Sequence, residues 1–315
     1  MIRFSALLGL PLILTLAACA QVDQNAGPAN SPDHGQERFR QRATTVAAAW
    51  RTAPGRQQWQ SGFVPLQDPT VLPGDPKFSN ETKQAFLAGW YTARTNLPTA
   101  KPADGRIRFP NGTLAVPLIG AEEAYRQLDQ GDPPRCTETP AAPRTGGTGP
   151  DGTVSTPATI ACTPLTVTGV KLGSVTVRTS RGDAEVPAWL FTVAELATPV
   201  ARLAVASPAV APMPSANVPP LESPDNLVAA QDLTKVDGAK LTYRLGVGAC
   251  DQNLTPLVQE YEDLVVVAGS VTRSGGVCTE QLLVKPVTVT LGAPIGTRTV
   301  LDGLNGVPLR VTTAG

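Results

Sequence analysis

Proline and glycine interrupt this sequence throughout its length, which limits the structures that it can form. They contribute 31 and 29 of the 315 residues, and proline is about twice as frequent as in an average globular protein. Both residues disfavour helix interiors, and proline cannot donate a backbone hydrogen bond. The chain therefore favours short strands and turns. Aromatic residues make up only 5% of the chain, so we expect Val, Leu, Ala and Ile to form the cores.

Two regions alternate apolar and polar residues as half-buried strands do. The segment LTVTGVKLGSVTVRTS runs from 165 to 180, and AEVPAWLFTV returns after a turn at 180–183. The segments LTYRLGV, EYEDLVVVAGSV and CTEQLLVKPVTVTL form a second such region after residue 240. These patterns predict a mainly β (α+β) fold with two small antiparallel β-sandwich-like domains and one or two short helices.

A proline-rich segment divides the two regions. It carries six prolines between Ser207 and Pro224, a composition typical of an inter-domain linker. We therefore expect a first domain at 37–206, a linker at 207–224 and a second domain at 225–315.

Shorter patterns predict individual elements. Apolar residues at 39, 43, 46, 47 and 50 share one helical face, and 120–131 is typical of a short capped helix. Residues 36–52 are therefore either a helix that docks on the first domain or an extended first strand, with the helix favoured. The segment 81–94 mixes periodicities, and its Trp-Tyr-Thr run favours a strand. Asn111-Gly112 predicts a type I′ hairpin turn.

The four cysteines beyond residue 100 predict disulfide bonds. Cys136 and Cys162 precede the proline-rich segment, and Cys250 and Cys278 follow it. Four thiols allow three pairings, of which local pairing gives one bridge in each domain. Outside the cytoplasm such pairs are oxidised. A metal site is the alternative, but no C-x-x-C pair or nearby histidine supports it.

The first residues predict export. Phe4 to Leu16 is largely apolar but shorter than the roughly 20 residues that span a bilayer, as in a signal peptide. The following Leu16-Ala17-Ala18-Cys19 resembles the bacterial lipobox. The resemblance implies cleavage after residue 18 and a lipidated (palmitate-bearing) Cys19 at the extracytoplasmic face of the cell membrane. Cleavage of an ordinary secretory signal is the alternative. Residues 19–36, which contain the only histidine, His34, are predicted to be a flexible tether.

Longer segments carry a second resemblance. GVKLGSVTVRTSRGDAEVPAWLFTV and CTEQLLVKPVTVTLGAPIGTRTVLDG, with GVGAC and EDLVVVAGSV, resemble segments of actinobacterial lipoproteins, over most of the chain after residue 81. No activity is assigned to that group, so the resemblance implies a location and no catalytic residues.

The sequence offers little catalytic chemistry, and we predict no catalytic, cofactor-binding or metal-binding residue. A single histidine within a tether excludes Ser-His-Asp and Cys-His sites in the folded body. Nucleotide-binding glycine motifs are absent. A net charge of zero gives no support for nucleic-acid binding.

Two groups of residues leave functional alternatives open. Glu260, Glu262 and Asp263 could serve a glycan hydrolase, although a solvated face is the simpler interpretation. Trp50, Trp59, Trp90 and Trp189 could line a ligand pocket, although core packing is more common. We therefore expect a lipid-anchored, non-enzymatic binding or structural module with an envelope or cell-wall partner. A carboxylate hydrolase and a small-ligand sensor are the alternatives.

Overall fold

The computed structural model describes residues 32–133, 163–221, 226–273 and 281–312. It is mainly β with several antiparallel sheets, as predicted, but these ranges contain four α-helices rather than one or two. The helices are α1 (Pro32–Arg51), α2 (Arg56–Ser61), α3 (Asn80–Ala88) and α4 (Ala121–Leu128). None of these helices is both long and apolar enough to cross a membrane.

Seven strands of the first half form one sheet, rather than the two facing sheets of a sandwich. They are β1 (Thr70–Val71), β2 (Tyr91–Ala93), β3 (Gly105–Phe109), β4 (Gly112–Val116), β5 (Leu165–Thr179), β6 (Gly182–Val193) and β7 (Val200–Leu203). The order is β1-β7-β6-β3-β4, and β5 pairs with both β6 and β2. The long β5–β6 hairpin confirms the strands predicted from the alternating pattern. Its antiparallel pairing continues up to Thr179 and Gly182, which flank the turn.

The β3–β4 hairpin forms with a loop that differs from the prediction. Phe109 pairs with Gly112, so Pro110 and Asn111 are the two loop residues. A type I′ turn needs a positive φ at both loop positions, and the proline ring fixes φ near −65°. The predicted type I′ turn is therefore wrong, although the hairpin itself is confirmed.

The segment 81–94 begins as a helix, which contradicts the predicted strand. Ser79 caps α3 by accepting a hydrogen bond from Thr82 N, and Thr82 Oγ1 accepts one from Ser79 N in return. Gly89 ends the helix in the left-handed conformation at φ 70°. The glycine is thus a helix C-cap, and only Tyr91–Ala93 beyond it forms a strand.

The second half forms two sheets that face each other around one apolar core. Strand β10 (Lys240–Gly248) lies between β9 (Ala230–Asp237) and β13 (Leu282–Thr290) in the first sheet. Strand β12 (Leu264–Thr272) pairs with β8 (Leu227–Val228), β11 (Gln252–Glu260) and β14 (Thr299–Asp302) in the second.

Strand β12 is buried on both faces. Val265, Val267 and Val271 contact the core between the two sheets, whereas Leu264, Val266 and Ala268 contribute to a separate core on the other face. Because successive side chains of a strand point to opposite faces, this continuous apolar run can serve both cores.

Helix α1 covers the outer face of β12. Its residues Phe39, Val46 and Trp50 are buried in the same core as Leu264 and Val266. The helix predicted from residues 36–52 is confirmed, but it packs on the second half rather than on the first. Its apolar stripe shares a core with Leu264, Val266 and Ala268 of β12, whereas α3 and α4 pack against the core of the first sheet.

Direct contacts join the two halves. Trp59 Nε1 donates a hydrogen bond to Thr299 Oγ1 at 3.1 Å, and Arg178 donates one to the Gly296 carbonyl at 2.7 Å. The backbone of Leu66 accepts a hydrogen bond from Val311 N at 2.6 Å. The segment between α1 and the first sheet therefore belongs to the contact surface of both halves.

Several predictions concern residues outside the described ranges. They include the signal peptide and most of the tether, Cys19, Cys136, Cys162, Cys278 and the end of the predicted linker. The last five residues of the predicted tether, with His34, instead begin helix α1. Cys250 is described, and it follows the last residue pair of β10 with β13, Gly248 and Leu282.

Candidate functional site

A cleft of about 720 Å³ opens beside α3, next to the β1–β7 edge of the first sheet. This volume lies within the usual range of small-molecule sites, roughly 300–1,000 Å³. The apolar walls are Pro69, Leu72, Pro76, Phe78, Phe86 and Leu87. Its polar groups include Arg202, Lys83, Tyr91 and Gln127.

The capped helix α3 builds one wall of the cleft. Lys83, Phe86 and Leu87 occupy positions i, i+3 and i+4, so they lie on one face of the helix. The rings of Phe86 and Phe78 meet at 5.2 Å between centroids and an angle of 45°. Leu87 is 60% exposed, which leaves an apolar side chain at the mouth of the cleft.

Arg202 supplies positive charge in the cleft. This half-buried residue of β7 donates hydrogen bonds to Thr70 Oγ1 at 2.9 Å and to Gln127 Oε1 at 3.2 Å. Gln127 presents its oxygen to the guanidinium because its amide nitrogen donates to Glu123 at 3.0 Å. Arg202 Nε is buried and has no hydrogen-bond partner in the part of the chain that the structure describes. Desolvation lowers the pKa of Arg202.

The carboxylates at the cleft form salt bridges with other cations. Asp68 lies 3.5 Å from Arg310, and Asp75 lies 2.6 Å from Lys77. Within the described ranges, neither Arg202 nor Lys83 forms a salt bridge. The charge of Asp68 does oppose the lowering of the Arg202 pKa, but both hydrogen-bond acceptors of Arg202 are neutral. The cleft therefore presents positive charge beside an apolar wall.

Tyr91 adds a second unsatisfied polar group to the cleft lining. The residue is 3% exposed, and its hydroxyl has no hydrogen-bond partner among the described residues. Burial raises the pKa of this hydroxyl above its ordinary value, so Tyr91 stays neutral and can donate a hydrogen bond.

A smaller cavity of about 240 Å³ lies where the two halves meet, and two of the arginines that line it already have hydrogen-bond partners. Arg181 donates to Asn111 at 2.8 Å and to the Ser61 carbonyl at 3.1 Å. Arg298, which also lines this cavity, donates to Glu260 at 2.7 Å. Each of these contacts lies within one half of the chain, and together they occupy both arginines.

The three candidate carboxylates do not share one strand. Glu260 ends β11, whereas Glu262 and Asp263 lie in the turn before β12. Burial alone would raise the pKa of Glu260, but hydrogen bonds from Arg298 and Gly292 N lower it below its ordinary value. The hydrogen bond from Arg51 at 2.7 Å likewise lowers the pKa of Asp263. Both carboxylates are therefore held ionised, which does not suit a general acid.

None of the four tryptophans lines the large cleft. Trp50 and Trp59 are 0% and 3% exposed in the core under α1, where their rings meet at 5.1 Å. Trp189 is 7% exposed and donates to the Ile119 carbonyl at 2.9 Å, and Trp90 packs against the same core. Core packing thus accounts for all four.

No cluster of three or more His, Cys, Asp or Glu side chains suited to a metal ion occurs in the described ranges. No protein family matches this chain, and neither a curated protein nor a solved structure matches it.

Sequence reasoning did not find the cleft. Its helical wall lies in the segment that was predicted to be a strand, and Arg202 lies in an ordinary Val-Ala-Arg-Leu run. The signal that could have located the wall is the Ser79-to-Thr82 spacing followed by Gly89, which together mark the two ends of a short helix.

Proposed function

We propose that this chain is a non-enzymatic binding module that holds a small amphipathic ligand in the cleft beside α3. The observation that carries the proposal is an apolar cleft of about 720 Å³ that contains a half-buried arginine with only neutral hydrogen-bond acceptors. A charge removed from water needs a compensating partner. A ligand that supplies a partner for Arg202 and covers Phe78, Phe86 and Leu87 would satisfy both the arginine and the apolar wall.

Binding is favoured over hydrolysis by the contacts of the candidate carboxylates. Glycoside hydrolases keep one carboxylic acid with a raised pKa opposite a second carboxylate. Glu260 and Asp263 each face an arginine, and their pKa values are lowered instead. The proposal therefore assigns them to structural ion pairs.

The same proposal places the module at the extracytoplasmic face of the membrane through Cys19. Its support is the lipobox-like Leu16-Ala17-Ala18-Cys19 after a short apolar stretch. Helix α1 starts at Pro32, so about a dozen residues would separate the lipid from the body. A tether of this length allows the cleft to stay in the aqueous phase.

We also propose that Cys250 and Cys278 form one bridge and Cys136 and Cys162 the other. The β10–β13 register supports the first, since Gly248 pairs with Leu282 and Ala249 N donates to the Gln281 carbonyl at 3.0 Å. Such a bridge would close the open end of the two strands.

Mass spectrometry of the mature protein from membranes tests the anchor and the bridges together. We expect an N-terminal peptide that starts at Cys19 with a mass increased by acyl chains, because one chain alone anchors weakly. We also expect no alkylation of the other four cysteines before reduction. An unmodified N-terminus would contradict the anchor, and labelled thiols before reduction would contradict the bridges.

Replacement of Leu87 tests the cleft as a binding site. We expect Leu87→Gln to weaken binding of the neutral fluorescent probe N-phenyl-1-naphthylamine about fivefold, because about 1 kcal/mol of apolar contact is lost. Fluorescence titration measures the affinity. Leu282→Gln is the matched control, since Leu282 is 63% exposed on β13, outside the cleft, and Leu87 is 60% exposed. Failure of the probe to bind, or equal weakening by both variants, would contradict the proposal.

A further inference from the structure

We propose that the ligand of the α3 cleft carries a carboxylate that pairs with Arg202 and an apolar body that covers the Phe78–Phe86 pair. This inference rests on the proposed binding function and goes beyond it by naming the chemical class of the ligand. The class is a small amphipathic monocarboxylate.

The first step of the argument is the hydrogen-bond inventory of the guanidinium. Arginine has five N–H donors, and Arg202 uses one toward Thr70 and one toward Gln127. Three donors remain: one N–H on each terminal nitrogen, and the Nε–H, which is closed off from solvent and has no partner within the described residues. A planar carboxylate can accept two parallel hydrogen bonds from such a group.

The second step is the sign of the charge in the cleft. Asp68 and Asp75 form their salt bridges with Arg310 and Lys77. Lys83 and Arg202, which also line the cleft, form none in the described part of the structure. Because both carboxylates already have a cationic partner whereas these two cations have no anionic one, an anionic group is favoured over a neutral or a cationic one.

The third step is the position of the apolar surface. Phe78, Phe86 and Leu72 line the same cleft as Arg202, so a ligand can contact the ring pair and the guanidinium together. A bare inorganic anion would leave the apolar wall uncovered, so an apolar body completes the ligand.

Three probes with the same ten-carbon chain test the inference: decanoate, decanol and decyltrimethylammonium. Each is titrated against the full-length protein carrying N-phenyl-1-naphthylamine, and displacement of the dye gives its affinity. We expect decanoate to bind at least tenfold more tightly than decanol, and the cationic probe to bind most weakly. Equal affinities for decanoate and decanol would overturn the carboxylate inference while leaving the binding function standing. Failure of the dye itself to bind would overturn both.

Substitutions identify which cation the carboxylate meets. We expect Arg202→Gln to abolish the preference for decanoate over decanol. Arg106→Gln removes the same charge from an exposed position of β3 outside the cleft, and should keep the preference. Lys83→Gln keeps Arg202 intact and should retain most of it. If Lys83→Gln removes the preference, the assignment to Arg202 is wrong, and this result holds even if Arg202→Gln fails to fold.

Discussion

Replacing Trp50 with alanine should reduce the free energy of unfolding by about 3–5 kcal/mol, as expected for a large aromatic side chain deleted from a core. Trp50 is 0% exposed and stands edge-on to Trp59 at 5.1 Å in the core between α1 and β12. Its loss would leave a cavity at the contact that holds α1 on the second half. Urea denaturation followed by circular dichroism measures the change.

Two conservative variants separate ring packing from hydrogen bonding. Trp50 Nε1 has no hydrogen-bond partner in the described structure, so Trp50→Phe should cost much less than Trp50→Ala. Trp59 Nε1 donates to Thr299, so Trp59→Phe should lose about 1 kcal/mol more for that bond. An unfolding midpoint unchanged by Trp50→Ala would show that α1 is not packed on β12.

The docking of α1 illustrates what local sequence could and could not predict. The 3.6-residue spacing of Phe39, Ala43, Val46 and Trp50 identifies the helix and its buried face. It does not identify the surface opposite that face. The partner is β12, more than 200 residues later, and an apolar run such as LVVVAGSV does not show that two separate cores share it.

The fold was most predictable where the spacing of apolar residues and the position of the turn residues indicate the same structure. The β5–β6 alternation and the α4 pattern are confirmed because periodicity and turn residues favour the same structure there. The segment 81–94 failed because the strand-forming Trp90-Tyr91-Thr92 run lies directly after a short helix. Gly89 permits that change of structure by adopting a positive φ.

The candidate site could not be predicted from local sequence because its charge depends on distant pairs. Arg202 looks like an ordinary solvent-facing residue of a strand. Among the described residues it has no anionic partner, because Asp68 and Asp75 form salt bridges with other cations. Asp68 pairs with Arg310, 242 positions later, and only the folded chain shows that contact.

Asp302 is a second group whose role depends on the fold. It is 0% exposed at the end of β14, and its carboxylate accepts hydrogen bonds from Ala230 N at 2.7 Å, Asn305 N at 2.9 Å and Leu304 N at 3.1 Å. The charge of Arg42 on α1 also acts on it. Desolvation outweighs these contacts and raises the pKa of Asp302 to about 6 from an ordinary value of 3.8.

Asp302→Asn should therefore change how stability depends on pH. Because the pKa is higher in the folded state, the folded protein binds the proton more tightly than the unfolded chain between about pH 4 and 6. The contribution of Asp302 is fully present below pH 4 and is lost as the pH rises through 6. Two pKa units correspond to about 3 kcal/mol.

The wild-type and Asp302→Asn proteins should be compared by urea denaturation from pH 4 to pH 7. The pKa values of Asp232, Glu260 and Asp263 are lowered, so these groups make the free energy of unfolding rise with pH. They do so equally in both proteins, and their effect cancels when the variant is subtracted from the wild type. We expect the wild type to lose up to about 3 kcal/mol relative to the variant across this range. Because asparagine cannot accept all three backbone hydrogen bonds, the variant should be the less stable protein at pH 4. Parallel stability curves would show that Asp302 does not titrate in this window.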